Sequence, residues 1–240
     1  MDITTMAAEE QAPPMAGGAR RTLRVHAAGT CALLLDACAG AFDPATQERV
    51  WALSALLSAG KVLDGIRETV PGVNNLLVVF DPMLLHPAKA RECLPALWET
   101  LEVSVRQGRE IEIPVVYGGE TGEDLPALAA GAGLDIETFV GQHSAAVYSV
   151  ACIGAYPGFA FMTGLPARLA TPRRQVPRMQ VAKGSVAIGG SQAGVMPCTA
   201  PSGWHLIGMT ELSMFDPSRS VPCLLSPGDR VHFRVKGIES

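Results

Sequence analysis

Apolar and polar positions follow two different rhythms along this chain of 240 residues. From residue 21 to about 110, short apolar runs trade places with stripes at helical spacing. "ALLLDAC" (32–38) is apolar almost throughout and too short for its period to separate strand from helix. After a polar turn, "TQERVWALSALLSAG" sets Val50, Leu53 and Leu57 on one helical face and offers Gly60 as a stop. "NNLLVVFDP" (74–82) is a buried-strand pattern closed by Asp-Pro. Leu94, Leu97, Trp98 and Leu101 then fall at i, i+3, i+4 and i+7, the stripe of a packed helix. Pro95 lies inside that stripe, so the helix either starts there or kinks. Strand and helix units in succession predict a small α/β layer with helices on one face of a sheet.

Beyond that point the rhythm changes. "EIEIPVVYGG" alternates and ends in glycines. Two short helical pieces follow, "EDLPALAAGAG" and "LDIETFVGQH", with Asp135 as a cap for the second. After His143 the chain reads as short strands broken by Gly and Pro, including "YSVACIGAYPGF", "GSVAIGG", "AGVMP", "GWHLIGMT" and "GDRVHFRV". Strands of that length with frequent turn residues predict a β-barrel or sandwich. The expected class is α+β, with a flexible tail at 1–20, an α/β domain at 21–110 and a barrel domain at 111–240.

Composition removes several functions. Hydrophobic residues make up 48% and charged residues 18%, which suits a folded domain rather than a disordered one. A net charge of −4 and no basic domain argue against nucleic acid. Cys31, Cys38, Cys93, Cys152, Cys198 and Cys223 form no CxxC pair and, with five scattered histidines, no zinc signature. They read as small buried hydrophobes in a reducing compartment. The first twenty residues lack the basic start and apolar stretch of a secretory signal. No uncharged apolar run is long enough to span a bilayer, so no membrane partner is expected. The location implied is the cytoplasm.

Four stretches could carry chemistry. "YGGETGEDL" (117–125) brings Glu120, Glu123 and Asp124 together beyond two glycines. Glu120 could serve as a general base or hold an amide N–H, while Glu123 and Asp124 could equally cap a helix. "RLATPRRQVPRMQVAKG" (168–184) carries four arginines and a lysine with no acid, braced by two prolines. It reads as an anion clamp or as a solvated basic loop. "GSVAIGGSQAGVMP" (184–197) places Gly189 and Gly190 where a bulge or close approach is expected, with Gln192 beyond them as an amide reader. In "SGWHLIGMT" (202–210), adjacent Trp204 and His205 point to opposite faces of a strand. His143, ending a helix, reads as a charge partner of the helix dipole. No GxxxxGK[ST] or GxSxG motif is present. The uncharged stretch "GAYPGFAFMTGL" (154–165) suits a barrel interior, and its rigid aromatic corner also suits a wall around a small cyclic ligand.

In that order, "VVYGGETGEDL", "PGFAFMTGL", "TPRRQVP", "GGSQAGV", "SGWHLIGMT" and "FDPSRSVPCLLSPGDRVHF" resemble the family of 5-oxoprolinase B subunits. Its members are also called allophanate hydrolase subunit 1, and they include the KipI-type kinase inhibitors. The resemblance implies a small N-terminal α/β domain followed by a cyclophilin-like β-barrel. It implies ATP-dependent opening of the 5-oxoproline lactam, with ATP held at an interface with a partner. The expected partners are a C-type protein (allophanate hydrolase subunit 2 type) and a LamB/YcsF-type protein as the A component. The alternatives it carries are half of an allophanate hydrolase or urea carboxylase-type carboxyltransferase pair, or a KipI-type inhibitor of a sensor histidine kinase. The roles implied are Glu120 as acid, base or amide anchor, Arg173 as anion clamp and Gln192 in amide recognition. Tyr117, Gly118, Gly119, Tyr156, Pro157, Gly158, Phe159, Gly190, Trp204 and His205 would bind substrate. The chain departs from the family's usual pattern at His205 (usually glutamine), at Met209 (usually arginine) and in "PGFAFM" (commonly PGFPYL). These departures are expected to lie in the pocket.

Overall fold

The computed structural model describes residues 23–37, 42–103 and 108–239. The tail at 1–20 and Cys38 lie outside the described residues. The first layer is an antiparallel sheet of β1 (Arg24–Ala27), β2 (Ala32–Asp36), β3 (Ile66–Pro71) and β4 (Asn75–Phe80), in the order β1-β2-β4-β3. The ambiguous run at 32–38 is therefore a strand, settled by pairing with β1 on one side and β4 on the other. Helices α1 (Pro44–Ser58) and α2 (Pro87–Thr100) cover one face of this sheet. Val50, Leu53 and Leu57 of α1 and Leu94 and Trp98 of α2 share a core with Leu33, Leu35, Leu76, Val78 and Phe80 of the sheet. Asp43 caps α1 by accepting from Thr46 N at 3.0 Å, and Gly60 beyond it takes a positive φ. Helix α2 starts at Pro87, so Pro95 lies inside it. That proline has no N–H for the Arg91 carbonyl one turn back.

The second layer is a closed barrel. Its strands are β5 (Glu110–Gly118), β6 (Tyr148–Ile153), β7 (Ala160–Thr163), β9 (Ser185–Gly189), β10 (Gln192–Val195), β12 (His205–Met209) and β13 (Arg230–Glu239). They close in the order β10-β7-β6-β13-β5-β12-β9. A separate ribbon, β8 (Arg178–Val181) with β11 (Ala200–Ser202), stands beside the barrel. Alternate inward side chains fill the interior, among them Ile113, Val115, Val150, Met162, Val186, Ile188, Ile207 and Val231. Helices α3 (Leu125–Gly131) and α4 (Ile136–Ala145) add Leu125, Phe139 and Val140 to the same core. Asp135 caps α4 through Thr138 N at 2.6 Å.

The two layers are joined by a buried amide. β6 shifts register between Val150 and Cys152, which leaves Ala151 as the extra residue. The Ala151 carbonyl accepts from Gln47 Nε2 at 3.1 Å and from Trp51 Nε1 at 2.8 Å, both on α1. Gln47 also donates to the Gly72 carbonyl and accepts from Asn74 N at 2.7 Å, so its amide ties the β3–β4 turn to the barrel.

Two expectations need correction. Among the described cysteines only Cys152 is buried; Cys198 is exposed, and each is a free thiol. Cys31, Cys93 and Cys223 are half-buried. His143 is no dipole partner in solvent. It is fully buried among Tyr117, Tyr148 and Phe233, and its Nδ1 lies 2.9 Å from the Tyr117 hydroxyl. Its Nε2 has no partner among the described residues. Among the described residues, no helix is long and apolar enough to cross a membrane.

Burial pushes the His143 pKa down to about 3. The unfolded chain takes up this proton near pH 6.5 and the native chain does not. Its contribution is therefore full above about pH 6.5 and is lost as pH falls below it. Between pH 7 and pH 5 this single group is expected to cost about 2 kcal/mol of stability. Urea unfolding at both pH values checks it: His143→Gln should lower the loss on acidification by that amount.

Candidate functional site

The aromatic corner begins as a turn that only particular residues can make. Gly154 N donates to the Phe159 carbonyl at 3.0 Å and Phe159 N to the Tyr156 carbonyl at 3.0 Å. Ala155 and Gly158 both have positive φ. A Cβ on Gly158 would stand 2.8 Å from both the Met214 carbonyl oxygen and Phe215 Cβ, so glycine alone fits. The turn delivers Phe159 and Phe161 to one face, two residues apart. Their rings meet edge to face at 5.0 Å, and both meet Trp204, at 5.4 and 6.0 Å. Glycines of the β9–β10 hairpin beneath make room for this cluster. A Cβ on Gly189 would be 2.7 Å from the Trp204 ring, and one on Gly194 would be 2.9 Å from the tip of Phe159.

The arginine loop is held against this cluster from several sides. Thr171 and Gly190 exchange backbone hydrogen bonds at 3.1 and 2.8 Å, and Arg174 N donates to the Gly203 carbonyl at 2.8 Å. His205 Nε2 lies 2.9 Å from the Pro172 carbonyl, which requires that nitrogen to carry the proton. The strongest tie is Asp124. Its carboxylate accepts two bonds from Arg178, both at 2.9 Å, one from Arg174 at 3.3 Å and one from Leu206 N at 2.7 Å. Glu123 takes the remaining Arg178 nitrogen, Nε, at 2.8 Å. Burial raises the Asp124 pKa, but the Arg178 guanidinium and the Leu206 N–H outweigh it, and the carboxyl is held below its usual range. Asp124 precedes α3 yet makes no side-chain cap to it. The capping alternative thus gives way to a structural ion cluster, because two guanidiniums compete for the same oxygens.

What remains is a cavity of about 410 Å³ whose lining includes Tyr156, Phe159, Phe161, Arg173, Arg174 and Trp204. Arg174 is neutralised by Asp124, whereas Arg173 makes no ion pair among the described residues and lies 5.3 Å over the Trp204 ring. An apolar aromatic wall with one uncommitted guanidinium can hold a small ring bearing one negative charge.

Tyr156, Phe159, Arg173 and Trp204 are therefore brought together, with Pro157 and Gly158 shaping the turn between them. The other candidates stand elsewhere. Tyr117 is fully buried in the barrel core, where burial raises its phenol pKa and its hydroxyl faces His143. Gly118 and Gly119 have positive φ and lie against Glu239; a Cβ on Gly118 would be 2.2 Å from the Glu239 carbonyl. Glu120 is exposed at the start of a one-turn 3₁₀ helix, Glu120–Gly122, and is not in the cavity lining. Gln192 opens β10, half-buried and paired with Thr163 and Gly189, also outside the lining. Gly190 and His205 act on the loop, as described above. The departures at His205 and Met209 fall outside the cavity, contrary to expectation. Met209 lines a smaller one of about 220 Å³ with Glu211 and Lys236. Asp124 as an anchor and Arg174 as a lining residue escaped the sequence, because their partners lie some fifty positions apart. Among the described residues, no group of three His, Cys, Asp or Glu side chains could hold a metal ion.

Residues 23–225 match the family described as "Carboxyltransferase domain, subdomain C and D". The 5-oxoprolinase B subunit of Escherichia coli O157:H7 is 45% identical over 79% of this chain and 85% of its own length. The Haemophilus influenzae protein of the same name is 44% identical over 80% and 89%. The crystal structure of the Kluyveromyces lactis urea carboxylase superposes with a TM-score of 0.74 at 20% identity, covering 89% of this chain and 22% of that one. That likeness concerns the fold.

Because Gly189 underlies the Trp204 ring, Gly189→Ala is expected to cost about 2 kcal/mol through overpacking. The same change should alter the near-ultraviolet circular dichroism of the aromatic cluster. Denaturant unfolding and that spectrum check both outcomes.

Proposed function

The chain belongs to the carboxyltransferase subdomain C and D family, alongside the 5-oxoprolinase B subunits, and from that premise we propose that its cavity binds 5-oxoproline. The protein then acts as the B subunit of an ATP-dependent 5-oxoprolinase that opens the lactam to glutamate. The observation that carries this reading is Arg173, an uncommitted guanidinium set over an aromatic wall. A lactam with one carboxylate offers the matching parts. Its carboxylate pairs with Arg173, and its ring methylenes lie on Phe159, Phe161 and Trp204.

In the reaction the amide oxygen takes the γ-phosphoryl group of ATP and ADP leaves. Water adds to the carbonyl carbon and the C–N bond breaks with the amine taking a proton. A second water releases phosphate from the resulting acyl phosphate to give glutamate. This chain binds and orients the lactam and keeps bulk water from its apolar face. The lining carries no carboxylate, and Glu120 and Gln192 stand outside it. The acid–base groups are accordingly assigned to the partner side of the site. We assign the same side to ATP, because one free guanidinium and no GxxxxGK[ST] loop do not fit a triphosphate. A C-type partner (allophanate hydrolase subunit 2 type) completes the site, with a LamB/YcsF-type protein as the third component. Free thiols, Cys198 exposed among them, fit a reducing compartment such as the cytoplasm.

The chain assembled with its C- and A-type partners should consume ATP in proportion to 5-oxoproline. A complete assembly that hydrolyses ATP without regard to the lactam would overturn the reading. In that assembly Arg173→Ala is expected to raise KM for 5-oxoproline at least about tenfold with a smaller effect on kcat, and Arg173→Lys should recover part of it. Steady-state kinetics on the three proteins distinguish these outcomes.

A further inference from the structure

Three arginines stand within six residues on the loop at 173–178, yet they do not act as one positive patch. Arg178 is committed to Asp124 and Glu123, and Arg174, although it lines the cavity, is paired with Asp124. Asp124 has side-chain exposure of 13% and is further anchored by Leu206 N, so the acid is a fixed part of the fold rather than a mobile counter-ion. Only Arg173 is left to meet a ligand.

We infer that Asp124 is a specificity-determining residue: by pairing with Arg174 and sharing Arg178 with Glu123, it restricts the cavity to anions of a single charge and keeps polyphosphates out. This inference rests on the reading of the cavity as the lactam site, and it extends that reading to the nucleotide that the reaction also needs. A polyphosphate draws its binding energy from several cations at once. The cavity offers one, with an aromatic floor and no glycine-rich loop to supply backbone N–H groups. A compact monocarboxylate needs no more than one bidentate fork and an apolar surface. Removal of the acid would leave Arg174 charged and unpaired in the lining, with Arg178 held by Glu123 alone. The cavity would then present a cluster of like charge, which favours phosphate chains. Asp124 touches neither ligand in this arrangement and acts entirely through the guanidiniums it holds.

The test titrates the full chain with pyrophosphate and with 5-oxoproline by calorimetry at matched ionic strength. The native protein should bind 5-oxoproline and show no pyrophosphate binding in the same concentration range. Asp124→Asn, with its fold checked by circular dichroism, should bind pyrophosphate at least about tenfold more tightly than the native chain. Adding Arg174→Met to that variant should remove most of the gain. A folded Asp124→Asn protein with no gain would overturn the inference, as would tight pyrophosphate binding to the native chain that Arg173→Ala abolishes. If Asp124→Asn does not fold, the native chain decides alone, since pyrophosphate must then fail to displace 5-oxoproline. A gain in pyrophosphate binding with no 5-oxoproline binding in any variant would uphold the role of Asp124 and refute the lactam reading instead.

Discussion

One carboxylate governs the mouth of this barrel. Asp124 draws together the start of α3, the backbone of β12 at Leu206, Arg174 of the loop before β8 and Arg178 at the start of β8. Without an acid at that point the loop would set three guanidiniums against one another and against the low-dielectric aromatic cluster below. The tie is bidentate on Arg178, and it is partly withdrawn from solvent, where such bonds are stronger than on an open surface. The position of Arg173 follows from it, since its neighbour Arg174 is clamped both by Asp124 and through its backbone to Gly203.

The aromatic wall depends on a different constraint, that of space. Phe159, Phe161 and Trp204 can meet edge to face only because Gly189 and Gly194 lack the Cβ atoms that would fill the same volume. Gly158 turns the chain so that the two phenylalanines arrive on one face. Gly190 makes the hairpin turn between β9 and β10 and also exchanges hydrogen bonds with Thr171. The glycine hairpin and the arginine loop are therefore parts of one device, a seat and the arm clamped over it. His205 belongs to the clamp.

Much of the fold was legible along the chain. The stripe of Val50, Leu53 and Leu57 marked α1, and the run at 74–82 marked β4. The cluster of short strands after His143 announced the barrel. The order of the motifs was enough to point to the family. The site was half legible. Tyr156, Phe159, Arg173 and Trp204, on two separate motifs and a loop, line one cavity. Tyr117, Gly118, Glu120 and Gln192 matched motifs just as well and do not line the cavity. A motif records that a residue is constrained without saying whether a ligand or the backbone imposes the constraint. At Gly118 and Gly119 it is the Glu239 backbone and side chain; at Tyr117 it is a buried histidine.

Periodicity, turn residues and charge runs are local, so by itself the sequence determined most of the element types, the α+β class, the family and the presence of an arginine-rich loop and an aromatic corner. Which arginine is free was decided only by the tertiary structure. Asp124 lies about fifty residues from the arginines it pairs with, and no local pattern distinguishes three nearly adjacent guanidiniums. The same holds for His143, whose charge state depends on burial by β5, β6 and β13 together. Electrostatic and steric energies depend on separation in space, and separation along the chain does not record it.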